Sequence, residues 1–121
     1  MAREVLIIDD NTAFRTTARS LLARDDGLLV VAEAATGFDG IEQAERHRPD
    51  LALVDVQLPD IDGFEVAERL SRLDPAPEVI LTSSLDASDF GALVMNSSAL
   101  GFIAKADLSA AAIEALVARP I

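Results

Sequence analysis

The sequence predicts a doubly wound α/β domain, on three observations. Short unbroken aliphatic runs recur along the chain, stretches with helical spacing lie between them, and 121 residues suit one domain with a proper core but not two. An aliphatic run without polar interruption is the pattern of a strand covered on both faces. Five such runs alternating with five helical stretches imply right-handed crossovers, and hence one parallel sheet with helices on both sides.

In chain order, the first strand is expected at residues 5–8, VLII, running straight into Asp9 and Asp10. Asn11 or Thr12 caps a helix whose Phe14, Ala18, Leu21 and Leu22 share one face. A second strand is expected at 28–32, and a helix with a weaker apolar face at roughly 37–47, stopping before Pro49. The third strand, 51–54, runs into Asp55. Val66, Leu70 and Leu73 mark a third helix ended by Asp74 and Pro75, and a fourth strand at 79–81 leads to Thr82 and Ser83. Phe90, Leu93 and Val94 predict a fourth helix entered at Asp86 or Ser88. A fifth strand at 102–104 delivers Lys105, and Ser109 caps a last helix with Ala112, Ile113, Leu116 and Val117 inward. Only Arg119, Pro120 and Ile121 resemble the start of a linker, so residues 1–121 are expected to form one domain.

Composition narrows the function. A formal charge of −11 opposes adhesion to nucleic acid phosphates or anionic membrane. The chain has no cysteine, which removes disulfides and thiolate metal sites and suits a reducing compartment. No apolar stretch approaches a membrane span, and the first one ends in acid too soon for a signal peptide. The expectation is a soluble cytoplasmic protein with no membrane contact and no direct nucleic acid binding.

In doubly wound folds the ligand site lies beyond the C-terminal ends of the strands. That rim would gather Asp9, Asp10, Asp55, Thr82 and Lys105, which are far apart in sequence. Close carboxylates repel by roughly 4 kcal/mol per pair at 4 Å and an effective dielectric near 20, so protons or a cation must relieve them. All-oxygen ligands point to a hard divalent ion, and a small open cluster that leaves water on the metal suits Mg2+. Such a metal prepares a site for phosphoryl groups. Lys105 would neutralise a phosphoryl oxygen, Thr82 would donate to another, and Asp55 would attack phosphorus to give an aspartyl phosphate.

With these residues in place, the chain resembles the receiver domain of two-component response regulators over essentially its full length. The resemblance rests on VLIIDDN, PDLALVDVQLPDIDG, VILTS and GFIAK, in the family's order and spacing. It implies a flavodoxin-like (βα)5 fold with strand order 2-1-3-4-5. It also implies that Asp55 is the phosphoacceptor for a sensor histidine kinase or phosphotransfer protein. Asp10, Asp55 and the backbone carbonyl of Gln57 would bind Mg2+, with Asp9 acting through water. Thr82 and Lys105 would hold the phosphoryl group, Phe102 would be the aromatic switch, and Gln57 and Ser84 occupy the positions that tune its lifetime. Pro59 and Gly63 match the turn after the acceptor. Ala106 stands where the family often has a cis proline, and Ser98-Ala99 replaces a tight GA before the fifth strand.

Asp60 and Asp62 read as turn residues without chemistry, and His47 as a surface cap. The expected signal is a movement of Thr82 toward the phosphoryl group that lets Phe102 turn inward and reshapes the face of the fourth helix, fifth strand and fifth helix. VVAEAATG and GFIAKADLS resemble receivers joined to helix-turn-helix domains of the LuxR/NarL type, so the output would be a partner or a DNA-binding domain. A homodimer through the last helix and strand is compatible with this. Rival readings fit less well. An aspartate-dependent phosphatase would carry D-x-D-x-T after the first strand, where DDNTA stands, and a nucleotide or flavin module would carry G-x-G-x-x-G. A phosphorylation-independent interaction module is the remaining alternative.

Overall fold

The computed structural model describes residues 2–85 and 90–117. The elements run β1 (Arg3–Ile8), α1 (Thr12–Leu22), β2 (Leu28–Ala34), α2 (Gly37–His47), β3 (Leu51–Asp55), α3 (Gly63–Ser71), β4 (Glu78–Ser83), α4 (Gly91–Met95), β5 (Gly101–Ala104) and α5 (Ala110–Val117). A single 3-10 turn, Lys105–Asp107, joins the last two. All strand pairs are parallel, as the sequence predicts, and the order is β2-β1-β3-β4-β5, as the resemblance to receiver domains implies.

Pleat alternation explains the unbroken aliphatic runs, because each strand feeds two cores. Leu6, Ile8, Ala52, Val54 and Leu81 pack on one face with Val66, Ala67 and Leu70 of α3. Val5, Ile7, Leu51, Leu53, Ile80 and Ile103 pack on the other with Ala18 and Leu22 of α1 and Ile113 of α5. Asn11, Thr36, Asp62 and Ser109 each accept a backbone N–H three residues on, so four helices begin with side-chain caps.

Three local outcomes differ from the sequence reading. The weak face of α2 is buried through Gly37, Gly40 and Ala44, which let the helix approach until Gly40 lies against Ile8. Small residues give little hydrophobic signal although they are buried. The strands run longer than their aliphatic runs: Asp55, Thr82 and Ser83 belong to strands, because the ladder continues through the Asp55–Thr82 pairing and a bond from the Val56 N–H to the Thr82 carbonyl. The described part of α4 has five residues, and Leu93, expected inward, is 58% exposed. In so short a helix Phe90 and Val94, four residues apart, take the inward side. The expected caps Asp86 and Ser88 and the linker-like end at 119–121 lie outside the described residues.

Candidate functional site

The sequence places acid at the ends of β1 and β3, and the sheet order puts those strands side by side at its centre. Asp9 continues the β1 ladder, its N–H donating to the Ala34 carbonyl at 2.9 Å. Alternation then sends the Asp9, Asp55 and Thr82 side chains to the α1/α5 side of the rim, the side of Ile7, Leu53 and Ile80. Asp9, Asp55 and Thr82 are buried, whereas Asp10 is exposed. Carboxylate oxygens of Asp9, Asp10 and Asp55 all lie within 4.8 Å of one another.

Among the described residues, Lys105 is the cation paired with these carboxylates. Lys105 Nζ lies 2.7 Å from Asp9 Oδ2 and 3.2 Å from Asp55 Oδ2. Both contacts are ion pairs, and the contact to Asp55 is also a hydrogen bond, so Lys105 engages the two buried carboxylates together. The ammonium also sits over the Phe14 ring, 4.6 Å from its centroid. Asp9 Oδ1 accepts the Asn11 N–H at 2.8 Å, and Asp55 Oδ1 accepts the Gln57 N–H at 3.1 Å. These bonds fix both carboxylates while leaving lone pairs directed at the cluster.

The electrostatics follow from burial. Desolvation pushes the Asp55 carboxyl above its ordinary value and Asp9 adds to it; the Gln57 N–H and Lys105 oppose this without cancelling it. Burial alone would lower Lys105, but its contacts with Asp9 and Asp55 outweigh that and hold the ammonium above its ordinary value. Three carboxylates against one ammonium leave two negative charges uncompensated, which a dication would cancel. The donor set is all oxygen, and its three carboxylates lie within 4.8 Å of one another. The residues therefore fit a hard divalent metal.

The remaining expected residues fall around this centre. Gln57 and Ser84 are exposed beside it. Phe102 pairs in register with Leu81 and Thr82 with Ile103, so the ring lies on the opposite face of the sheet from the hydroxyl. Phe102 is half-buried against the α3-side core, 6.1 Å from the Phe90 ring, which in turn is 6.3 Å from Phe64. The two side chains therefore do not share a face of the sheet. His47 is exposed in the last turn of α2, as expected, but the cap is the next residue, Arg48, whose left-handed backbone ends the helix.

Asp60 does more than its turn position suggests. Its two carboxylate oxygens accept the N–H groups of Gly37 and Phe38, each at 2.8 Å, tying the loop after β3 to the start of α2. Partial desolvation pulls this carboxyl upward, but the N–H groups of Phe38, Gly37, Ile61 and Asp60 itself outweigh it, and it ends below its ordinary 3.8. A folded-state value below the unfolded one stabilises the protein above pH 3.8, and this is lost as pH falls through the depressed value. Asp60→Ala is expected to cost about 1 kcal/mol at neutral pH, like the loss of a helix cap, and the deficit relative to wild type should vanish in acid. Denaturant melts at neutral and acidic pH measure both.

A doubly wound sheet in this order, with an acidic cluster, a hydroxyl and an ammonium on its C-terminal rim, defines a class of small α/β domains with a polar site at the strand ends. Comparison with known proteins specifies the class. Residues 5–117 match the family model described as the response regulator receiver domain. The transcriptional regulatory protein AfsQ1 of Streptomyces coelicolor is 44% identical over 85 residues, covering 70% of this chain and 37% of that protein. The response regulator GacA of Pseudomonas aeruginosa is 33% identical over 102 residues, covering 84% of this chain and 48% of that protein. A two-component response regulator of the LuxR family from Aurantimonas sp. SI85-9A1 superposes with a TM-score of 0.86 at 27% identity, covering 98% of this chain and 88% of that one. The chain belongs to the response regulator receiver domain family, whose members serve two-component signal transduction. It spans half or less of the length of these curated relatives. No helix among the described residues is long and apolar enough to cross a membrane.

Proposed function

We propose that this chain is a Mg2+-dependent phosphoacceptor switch in which Asp55 takes a phosphoryl group from a phosphohistidine of a sensor kinase or phosphotransfer protein. The observation that carries this reading is the buried Asp55 carboxylate, within 4.8 Å of two other acids and 3.2 Å from Lys105. An Asp55 oxygen forms the new bond to phosphorus as the P–N bond of a phosphohistidine protonated on its other ring nitrogen breaks; the electron pair returns to nitrogen, leaving an aspartyl phosphate and a neutral imidazole. Asp10, Asp55 and the Gln57 carbonyl are assigned as direct metal ligands. Asp9 acts through water, in keeping with its deeper burial and its engagement by Lys105 and the Asn11 N–H. Bound Mg2+ would supply charge neutralisation for the transferring oxygens.

Lys105 already spans Asp9 and Asp55, so a short shift carries its ammonium to a phosphoryl oxygen. Thr82, in register with Asp55, donates its hydroxyl to another. Gln57 and Ser84, exposed at the mouth, set how readily water reaches the acyl phosphate and so its lifetime. The β4 and β5 displacement then moves Phe102 from its half-buried place further inward and reshapes the α4-β5-α5 face, which controls a partner or a DNA-binding output domain. On this reading the chain, one receiver domain across 1–121, catalyses only its own phosphotransfer and dephosphorylation, and works in the cytoplasm.

The test is intact mass after incubation with acetyl phosphate, with Mg2+ or with a chelator. One phosphoryl adduct is expected with Mg2+ and little or none without. An unmodified mass in both, together with no beryllofluoride binding, would leave the phosphorylation-independent module instead.

A further inference from the structure

The turn that presents Asp9 and Asp10 is held from outside by a residue with no part in the scheme above. Arg15, on the first turn of α1, reaches back so that Nη1 donates to the Asp9 carbonyl oxygen at 2.6 Å. Its Nε donates to Glu33 Oε1 at 3.2 Å, and the other oxygen of Glu33 accepts Arg19 Nε at 2.6 Å. Arg15 is 17% exposed at its side chain and Glu33 26%, against 51% for Arg19. Since the Asp9 N–H is bonded to Ala34, both backbone groups of Asp9 are tied down, one by β2 directly and one by a guanidinium that β2 holds through Glu33. The peptide between Asp9 and Asp10 is thereby fixed in orientation, and with it the direction in which the exposed Asp10 leaves the strand.

We infer that Arg15, clamped by Glu33, is a positioning residue that sets the Asp9-Asp10 peptide for divalent metal binding. This rests on the reading of the acidic cluster as the metal site. The two roles an arginine could have here predict opposite signs. As a bare positive charge beside a cation site, Arg15 would weaken metal binding, and its removal would tighten it. As a positioning group, its removal weakens binding, because outer groups that orient ligands typically contribute 10- to 100-fold in affinity. Glu33 offsets much of the guanidinium charge, which leaves orientation as the larger effect.

The test compares Arg15→Gln, Arg15→Lys, Glu33→Gln and the control Arg19→Gln, titrated with Mg2+ and followed by backbone 15N shifts. Arg15→Gln is expected to weaken Mg2+ binding about tenfold, with partial rescue in Arg15→Lys and an intermediate loss in Glu33→Gln. Arg19→Gln, which keeps the bond to Asp9, should stay within about twofold of wild type. In metal-free protein the Asp10 15N resonance, which reports on the preceding carbonyl, should move in Arg15→Gln and not in Arg19→Gln. Unchanged or tighter Mg2+ binding in a folded Arg15→Gln would overturn the inference; if that variant does not fold, Glu33→Gln with wild-type affinity would do so. Should wild type itself fail to bind Mg2+, the metal reading falls. An unmoved Asp10 resonance in Arg15→Gln would then show separately that Arg15 does not set this peptide.

Discussion

Asp55→Asn is expected to abolish the phosphoryl adduct and, in metal-free protein, to raise the melting temperature. The two effects share one cause. Burial first, and then the Asp9 charge, hold the Asp55 carboxyl above its ordinary 3.8 against the pull of the Gln57 N–H and Lys105. A folded-state value above the unfolded one means that protonation favours the fold. That contribution is fully present below pH 3.8 and is lost as pH rises through the raised value. At neutral pH the charged carboxylate therefore opposes folding, and a neutral isostere relieves it. Mg2+ should reverse the order of the two proteins. A ligand at ten times its Kd stabilises the native state by about 1.4 kcal/mol, several degrees in Tm for a domain of this size. Wild type should gain this and Asp55→Asn should lose most of it. Thermal melts of both proteins with Mg2+ and with chelator check it, and a metal-free Tm below wild type in Asp55→Asn would contradict the assignment of strain to the charge.

Gly63→Ala is the second large effect. Gly63 opens α3, and its N–H donates to the Val56 carbonyl at 2.8 Å. A Cβ there would meet the Asp55 carbonyl oxygen and lie 2.8 Å from Val56 Cα. Both neighbours are backbone, and neither can turn aside as a side chain would. The start of α3 or the end of β3 must move, at a cost of about 3 kcal/mol, the upper end for overpacking, or about 10 °C in Tm. Because the obstructed group is the acceptor's own carbonyl, Mg2+ affinity should fall with stability. Gly91→Ala is the matching control: among the described residues, chain neighbours and its own helix backbone aside, nothing lies within 4 Å of its added Cβ, and alanine favours helix by up to about 1 kcal/mol. Equal losses in the two variants would rule out close approach as the reason for Gly63.

That contrast shows what the sequence made legible. The turn position of Gly63 was readable, but its reason was not: no glycine among the described residues has positive φ, and the requirement is room beside β3. The five strands were readable because buried parallel strands are written as aliphatic runs, and the rim residues because each follows or ends such a run; the strand order was implied only by the resemblance to receiver domains. Helix α2 was faint because its buried side is glycine and alanine. Leu93 was misplaced because spacing cannot reveal that the described α4 is too short to bury it. Asp60 and Arg15 escaped because their partners, Gly37 and Glu33, come from other elements, and only the folded chain sets them together. Phe102 was placed on the correct strand; register, which fixes its face, is not written in a single strand.

The central claim is that the Asp55 side chain takes the phosphoryl group, and mapping the modified residue tests it most directly. Borohydride reduction of the acetyl-phosphate-treated protein turns an aspartyl phosphate into homoserine, which peptide mass spectrometry then locates. Homoserine at position 55, dependent on Mg2+ and on the phosphodonor, is the expected result. Homoserine at Asp9 or Asp10 with Asp55 intact, or at no position in a protein that still carries the adduct, would contradict it.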